Sequence, residues 1–562
     1  MRQTVMIGSL FFLLSAITQL QAQSADPIIV TSSMEESIDG IFKDFDTIAK
    51  PGAAVAVMQH GEIVFKKGYG SANLEYDIPV TPSTIFHVAS VSKQFTVYSI
   101  LLLADQGKLS LDDDIRKYIP EVPDFGKLIT LRHLAAHTSG MRDQWELLGM
   151  AGWRNDDVIT KEHILKLVAK QKALNFEPGK EYNYCNTGFT LLAEVVARVS
   201  GKSFYQFTKE NIFEPLQMTN SQFYDDHERI VRNRAYSYKP TNSGYKKSVL
   251  SFANVGATSL FTTVEDLGLW GHHLNRPSQQ IKPIVEQMNT LAVLNNGKTF
   301  SGAYGQFVTP YKGLKQIQHG GADAGYRSYL GRFPDQDIAV SVFSNFSDSN
   351  PASLSLQVAD LFLASELEAP KVGEKAEGLK TIALNSKELL AFENYFWNES
   401  SALSRRIYVK NDTLRYNRGG TNETPLVAIA KNKFMMLNVP GLITVDFRTV
   451  AGKDKIIVHQ ENQSDFIAEA YDYVDPSTVD LKQYQGSFYS EELDTRYVFT
   501  VVNGELVAKH RRNSDISYQM IKADYFNNQA GIHLHFVRDD TDKISGINAS
   551  TGRIRNLWFK KE

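Results

Sequence analysis

A chain of 562 residues, 43% hydrophobic and 22% charged, is globular and long enough for roughly two to four domains. Its formal net charge is only -3 and its basic residues are scattered, which argues against nucleic acid or an anionic membrane as the main partner. Cys185 is the sole cysteine, so an intramolecular disulfide is excluded.

Residues 1–22 read as a signal peptide. Met1-Arg2 precede a mainly apolar run over 5–17, and Ala22 is small enough to stand before a cleavage site. The run is shorter than the roughly 20 residues that cross a bilayer. The expected product is secreted or periplasmic, with no stable membrane span after cleavage and no cysteine behind the leader to carry a lipid.

An amphipathic helix is predicted over 34–48, ending before Pro51-Gly52. Strands at 53–58 and 62–65 flank a turn at His60-Gly61 and would form a hairpin. Helices then dominate from residue 92 to about 198, which suggests a mixed α/β core with a helical subdomain.

Within that block stands Ser90-Val91-Ser92-Lys93, followed by an apolar run to Leu103. A helix there would place Ser90 and Lys93 on one face. A serine hydroxyl needs a neighbouring base, and a buried amine can act as one when burial brings its pKa toward neutrality. By itself S-x-x-K is a weak motif that also occurs by chance.

Further on, His133 and His137 have the spacing of helical metal ligands but lack the glutamate of the zincin pattern, so packing and capping are the favoured reading. The loop before residue 189 carries Tyr184 and Asn186. Tyr184 could exchange a proton if cations lowered its pKa, and Asn186 could bond a substrate amide; an ordinary loop aromatic beside a helix cap is the plainer alternative. Thr263 reads as an N-cap with Asp266 at the capping-box position, and His272-His273 as solvated side chains at a helix end. The strand-like run 314–318 enters His319-Gly320-Gly321-Ala322-Asp323, which is equally consistent with an open strand edge and with a glycine-rich hairpin turn. Strands at 329–333 and 338–343 precede a helix over 352–367 that could pack beside the first one.

Ser90-x-x-Lys93, Tyr184-x-Asn186 and His319-x-Gly321 in this order resemble the serine β-lactamase and penicillin-binding protein superfamily. The likeness is strongest to its class C and D-aminopeptidase or esterase-like branch, and it covers residues 34–367. It implies an α/β sandwich with the site between sheet and helical subdomain, within a serine hydrolase domain at 30–370. By the same resemblance Ser90 is the acylated nucleophile, Lys93 takes its proton, Tyr184 shuttles protons to the leaving group and Asn186 orients the substrate amide. The backbone NH groups of Ser90 and Ala322 would form an oxyanion hole. His319 stands where many relatives have lysine, and a mostly neutral imidazole weakens any preference for a substrate carboxylate. Peptidase or esterase activity is therefore ranked above β-lactam turnover. No cofactor or metal is implied; the expected partner is a small peptide, amide or ester, D-amino-acid peptides among them. A penicillin-binding or sensor protein with little turnover is the alternative.

Beyond residue 380 an internal repeat appears. Leu389, Phe392 and Phe396 match Leu481, Tyr484 and Phe488; Val409, Asn411 and Leu414 match Val501, Asn503 and Leu506; Phe434 matches Phe526, all at an offset of 92. Two small antiparallel β-barrel-like units are expected, at 380–472 and 478–562. They would cover a face of the hydrolase domain or mediate contacts; the resemblance to three-domain D-aminopeptidases also raises a loop that narrows the Ser90 cleft.

Overall fold

The computed structural model describes residues 29–368 and 380–562, apart from 400, 402, 420, 421, 440, 441 and 461–464. The signal-peptide reading of residues 1–22 lies outside them.

Thr31 opens helix α1 (Ser32–Ile41) by accepting the Met34 amide on its hydroxyl. This helix is shorter than the predicted 34–48. Gly40, Asp44, Asp46 and Thr47 are weak helix formers, and the chain tightens into a 3-10 turn at Lys43–Phe45. The expected hairpin forms from β1 (Ala53–Gln59) and β2 (Glu62–Tyr69), with His60 and Gly61 at φ of 48° and 84°.

The helical block supplies α2 (Ser92–Asp105), α3 (Gln144–Met150), α4 (Asn186–Ser200) and α5 (Val264–Asn275). Strands β3 (Phe307–Tyr311), β4 (Leu314–Asp323), β5 (Tyr326–Phe333) and β6 (Ile338–Ser344) follow, and α6 (Pro351–Phe362) closes the domain. The six strands form one antiparallel sheet in the order β3-β4-β5-β6-β1-β2.

Strand β1 is buried along its whole length because both faces of the sheet are covered. Ala53, Val55 and Val57 point into a core shared with Ile38 and Phe42 and with Val358 and Phe362 of α6, so the first and last helices lie on the same face, as expected. Ala54, Ala56 and Met58 point the other way, into the larger core formed with the helical block. Strand β3 pairs with β4 only as far as Gln318, which leaves the edge from His319 to Asp323 open on that side.

Two local expectations need correction. Thr263 caps α5 through the Asp266 amide, but the Asp266 carboxylate does not return the bond; it accepts from the Asn220 amide and the Ser221 hydroxyl, both at 2.8 Å. His273 is not solvated, because α5 is sandwiched against the sheet and α2, whereas the His272 side chain stays about a third exposed. His273 shares a 2.9 Å hydrogen bond with the Tyr98 hydroxyl and burial pushes its pKa down to about 4, while His272 faces Asp337.

Two closed antiparallel eight-stranded barrels follow, spanning 394–471 and 486–561. The 92-residue repeat is their common plan. Phe396 and Phe488, Leu414 and Leu506, and Phe434 and Phe526 fill equivalent core positions, and Asn411 and Asn503 turn equivalent hairpins at φ of 53° and 51°. Their placement differs. The first barrel keeps a core of its own, whereas the second merges its core with that of the helical block.

Candidate active site

The nucleophile candidate sits at a strained corner. Ala89 adopts φ of 47°, in the left-handed region, and Ser90 lies in the 3-10 turn Ala89–Val91 that leads into α2. Side chains three apart eclipse in such a turn. Lys93 Nζ reaches Ser90 Oγ at 3.0 Å, and it also reaches Asn186 Oδ1 at 2.8 Å and the Ala257 carbonyl at 2.6 Å. The lysine is fully buried, and that burial lowers its pKa to about 7, with nearby Arg553 pushing the same way and Asp323 and Asp143 opposing. An ammonium that would be permanent in water is thereby brought within reach of its neutral, proton-accepting form.

Tyr184 lies beside this pair, its ring centroid 4.9 Å from Lys93 Nζ. The expectation that cations lower its pKa is not met: burial raises the phenol well above its usual value, outweighing Arg553 and the Ser90 contact. It stays a neutral phenol. The loop that carries it is fixed by His137, whose ring stacks on Tyr184 at 4.2 Å and whose Nδ1 accepts the Cys185 amide at 3.0 Å. His133 meanwhile closes a capping box with Thr130. Both histidines therefore pack and cap.

Asn186 begins α4, and its groups are largely taken by the protein. Its oxygen accepts from Lys93, and its Nδ2 and backbone NH both donate to Asp143 Oδ2, at 2.8 and 2.7 Å. A side chain expected to orient substrate thus holds the lysine, and Asp143 holds it in turn.

The open edge of β4 forms the opposite wall. His319 donates from Nδ1 to the Gly320 carbonyl at 2.6 Å, and burial with Lys93 nearby depresses its pKa to about 3, so the imidazole is neutral. Gly321 is needed for close approach of the chain to itself: a Cβ there would lie 2.3 Å from the Val88 carbonyl and 3.1 Å from Ala89 Cβ. Ala322 is exposed at the cleft, and Asp323 next to it accepts from the Thr258 hydroxyl while burial raises its pKa to about 6.

Ser90, Tyr184, Asn186, His319, Gly321 and Ala322 all line one cavity of about 580 Å³, with Lys93 beneath its floor. The three motifs thus converge. The same cavity is lined by a residue from the far end of the chain, Arg553, whose guanidinium lies 4.9 Å from the Tyr184 ring centroid. It arrives on a loop of the second barrel that docks on the helical block. Arg553 NH donates to Glu146, its carbonyl accepts from Asp143 and Asn175, and Asn183 donates to the Gly552 carbonyl. A buried ion pair, Arg142 with Glu492 at 2.6 Å, anchors the same interface.

Asp143, Asp323 and Arg553 were not singled out by the sequence. The two aspartates sit in or beside recognisable motifs, whereas nothing in local pattern marks Arg553.

A family model described as Beta-lactamase matches residues 38–364. The chain belongs to the β-lactamase family. Among curated proteins it is 28% identical over 322 residues to a D-aminopeptidase of Gluconobacter oxydans, covering 57% of this chain and 60% of that protein. It is 26% identical over 313 residues to a D-aminopeptidase of Brucella canis, covering 55% and 60%. The chain thus spans about 60% of the length of these relatives. The octameric penicillin-binding protein homologue from Pyrococcus abyssi superimposes with a TM-score of 0.53 at 24% identity, over 78% of this β-lactamase-family chain and 99% of its own. A D-amino acid amidase from Ochrobactrum anthropi SV3 gives 0.51 at 22%, over 59% and 99%. These two share the fold.

Proposed function

We propose that this chain is an exported serine hydrolase that cleaves amide or ester bonds through an acyl-enzyme on Ser90, with D-amino-acid peptides among its substrates. The observation that carries the reading is the 3.0 Å contact between Ser90 Oγ and a buried Lys93 whose amine is lowered to about 7. In its neutral form Lys93 takes the hydroxyl proton as Ser90 attacks the carbonyl carbon. The oxyanion then forms beside the backbone of Ser90 and Ala322. Tyr184, neutral and adjacent, relays a proton to the departing nitrogen or oxygen, and water regenerates Ser90. The D-aminopeptidase relatives supply the stereochemical direction of the proposal, and the leader-like residues 1–22 the compartment.

Intact mass after treatment with a fluorophosphonate probe, followed by turnover of D- and L-aminoacyl p-nitroanilides, tests the proposal. Wild type gains one adduct, Ser90→Ala gains none, and the D-series is cleaved faster. An unlabelled wild type refutes the nucleophile. A long-lived adduct without turnover supports the penicillin-binding or sensor reading instead.

A further inference from the structure

On the strand wall of the Ser90 cleft His319 is neutral, because its imidazole is buried close to Lys93. Two guanidiniums line the cavity, Arg327 and Arg553. Arg327 turns back on its own hairpin, with Nη1 donating to the carbonyls of Ala324 and Tyr326. Arg553 is placed differently. All the hydrogen bonds that seat it use its backbone, to Glu146, Thr551, Asp143 and Asn175. Among the described residues no carboxylate is ion-paired with its guanidinium, although Glu146 is near enough to feel its charge, and the guanidinium lies over the face of the Tyr184 ring at 4.9 Å. A half-buried guanidinium costs free energy to desolvate, and a ring face returns only about 0.5–2 kcal/mol of it. Its donor fork is left open in the cavity that Ser90 also lines.

We propose that Arg553 is a specificity-determining residue, through which the second barrel delivers a carboxylate-binding cation to the Ser90 cleft. The substrates selected are amides or esters that carry a carboxylate close to the scissile bond. The inference rests on the hydrolase reading above and adds to it the charge of the substrate. It also reverses the weak carboxylate preference that His319 alone implies. A planar guanidinium can bind a carboxylate through two parallel N–H···O bonds without surrendering its stacking on Tyr184. Because the loop is held by backbone bonds, shortening the side chain leaves the docking contacts in place.

The test compares matched compounds. N-acetyl-D-alanyl-D-alanine and its C-terminal amide place a carboxylate, or none, in the leaving group; succinyl and butyryl thiophenyl esters do the same for the acyl group. Wild type favours the acid in at least one pair by roughly ten- to a hundredfold in kcat/KM, as a charge-assisted hydrogen bond implies. Arg553→Gln collapses that ratio chiefly through KM, and Arg553→Lys keeps part of it. A wild type indifferent to charge in both pairs, or a preference that survives in Arg553→Gln, overturns the proposal. Should wild type turn over none of the four compounds, calorimetric binding of N-acetyl-D-alanyl-D-alanine and its amide separates the two claims. Acid-selective binding lost in Arg553→Gln upholds the cation while the hydrolase reading falls; charge-blind or absent binding overturns it.

Discussion

Gly321 passes so close to Val88 that an added β-carbon would sit 2.3 Å from the Val88 carbonyl oxygen, and 2.4 Å from the Ser328 hydroxyl that donates to the same oxygen. Strand β4 and the Ser90 turn are therefore pressed together at backbone distance. Neither can yield without moving Ala89 and the nucleophile. Gly321→Ala is expected to cost about 1–3 kcal/mol, the range for overpacking, and to abolish probe labelling of Ser90. At Gly320 the nearest atom to an added β-carbon is 3.6 Å away, so Gly320→Ala keeps wild-type stability. Thermal melts of the two variants side by side check the contrast, and equal melting points would refute it.

Burial of the Lys93 amine sets the pH dependence. The deprotonated amine is the form that accepts the Ser90 proton, so kcat/KM for an uncharged ester rises with pH through about 7 and levels off above it. The Asp143 carboxylate favours the ammonium form. Asp143→Asn therefore moves the rising limb to lower pH, even as the loss of Asn186's partner lowers the plateau. A limb that stays put or moves upward would assign the titration to another group.

Removing the amine is a sharper test. Lys93→Met fills nearly the same volume without a base and should lower the acylation rate by about 10²–10⁴-fold, the usual range for one general base. Lys93→Arg should fail to rescue, since a guanidinium does not give up its proton near neutrality. Burst kinetics with a chromogenic ester measure acylation apart from release. A burst in Lys93→Arg matching wild type would remove lysine from the proton's path.

Much of this site is legible in the sequence because its pieces are local. Ser90 and Lys93 are three residues apart, and any tight helical turn brings them together. The glycines after His319 announce close approach, although what approaches first is the Val88 backbone. The barrels are readable because the repeat preserves core aromatics and hairpin asparagines. What the sequence hides is partnership across distance. Asn186 reads as a substrate ligand until Lys93 and Asp143 are seen to occupy it, and Tyr184 reads as a group awaiting cations until its burial outweighs them. Arg553 lies in an ordinary surface loop of a β-unit; only docking across a sequence separation of 350 residues, as between Arg142 and Glu492, carries it to the Ser90 cleft.

That docking makes the last prediction. Glu492 accepts from Arg142 Nη1 at 2.6 Å and from the Lys172 amide at 2.9 Å, and the side chains of both ion-pair partners are about 5% exposed or less. Arg142 Nη2 also donates to the carbonyls of Arg555 and Asn556, two and three residues beyond Arg553. Glu492→Gln preserves shape and an acceptor oxygen but leaves a guanidinium charge buried without its counter-ion, a loss of about 3–5 kcal/mol. Arg142→Met, Glu492→Met together remove the charge with the need for it, and should recover part of that loss. Hydrogen exchange over residues 142–146 and 551–556 reads the interface directly. It should quicken in Glu492→Gln more than in the double variant, and acid-over-amide selectivity should fall in step. Were the single variant to exchange as slowly as wild type while selectivity fell, the second barrel would not be held at the cleft by this pair.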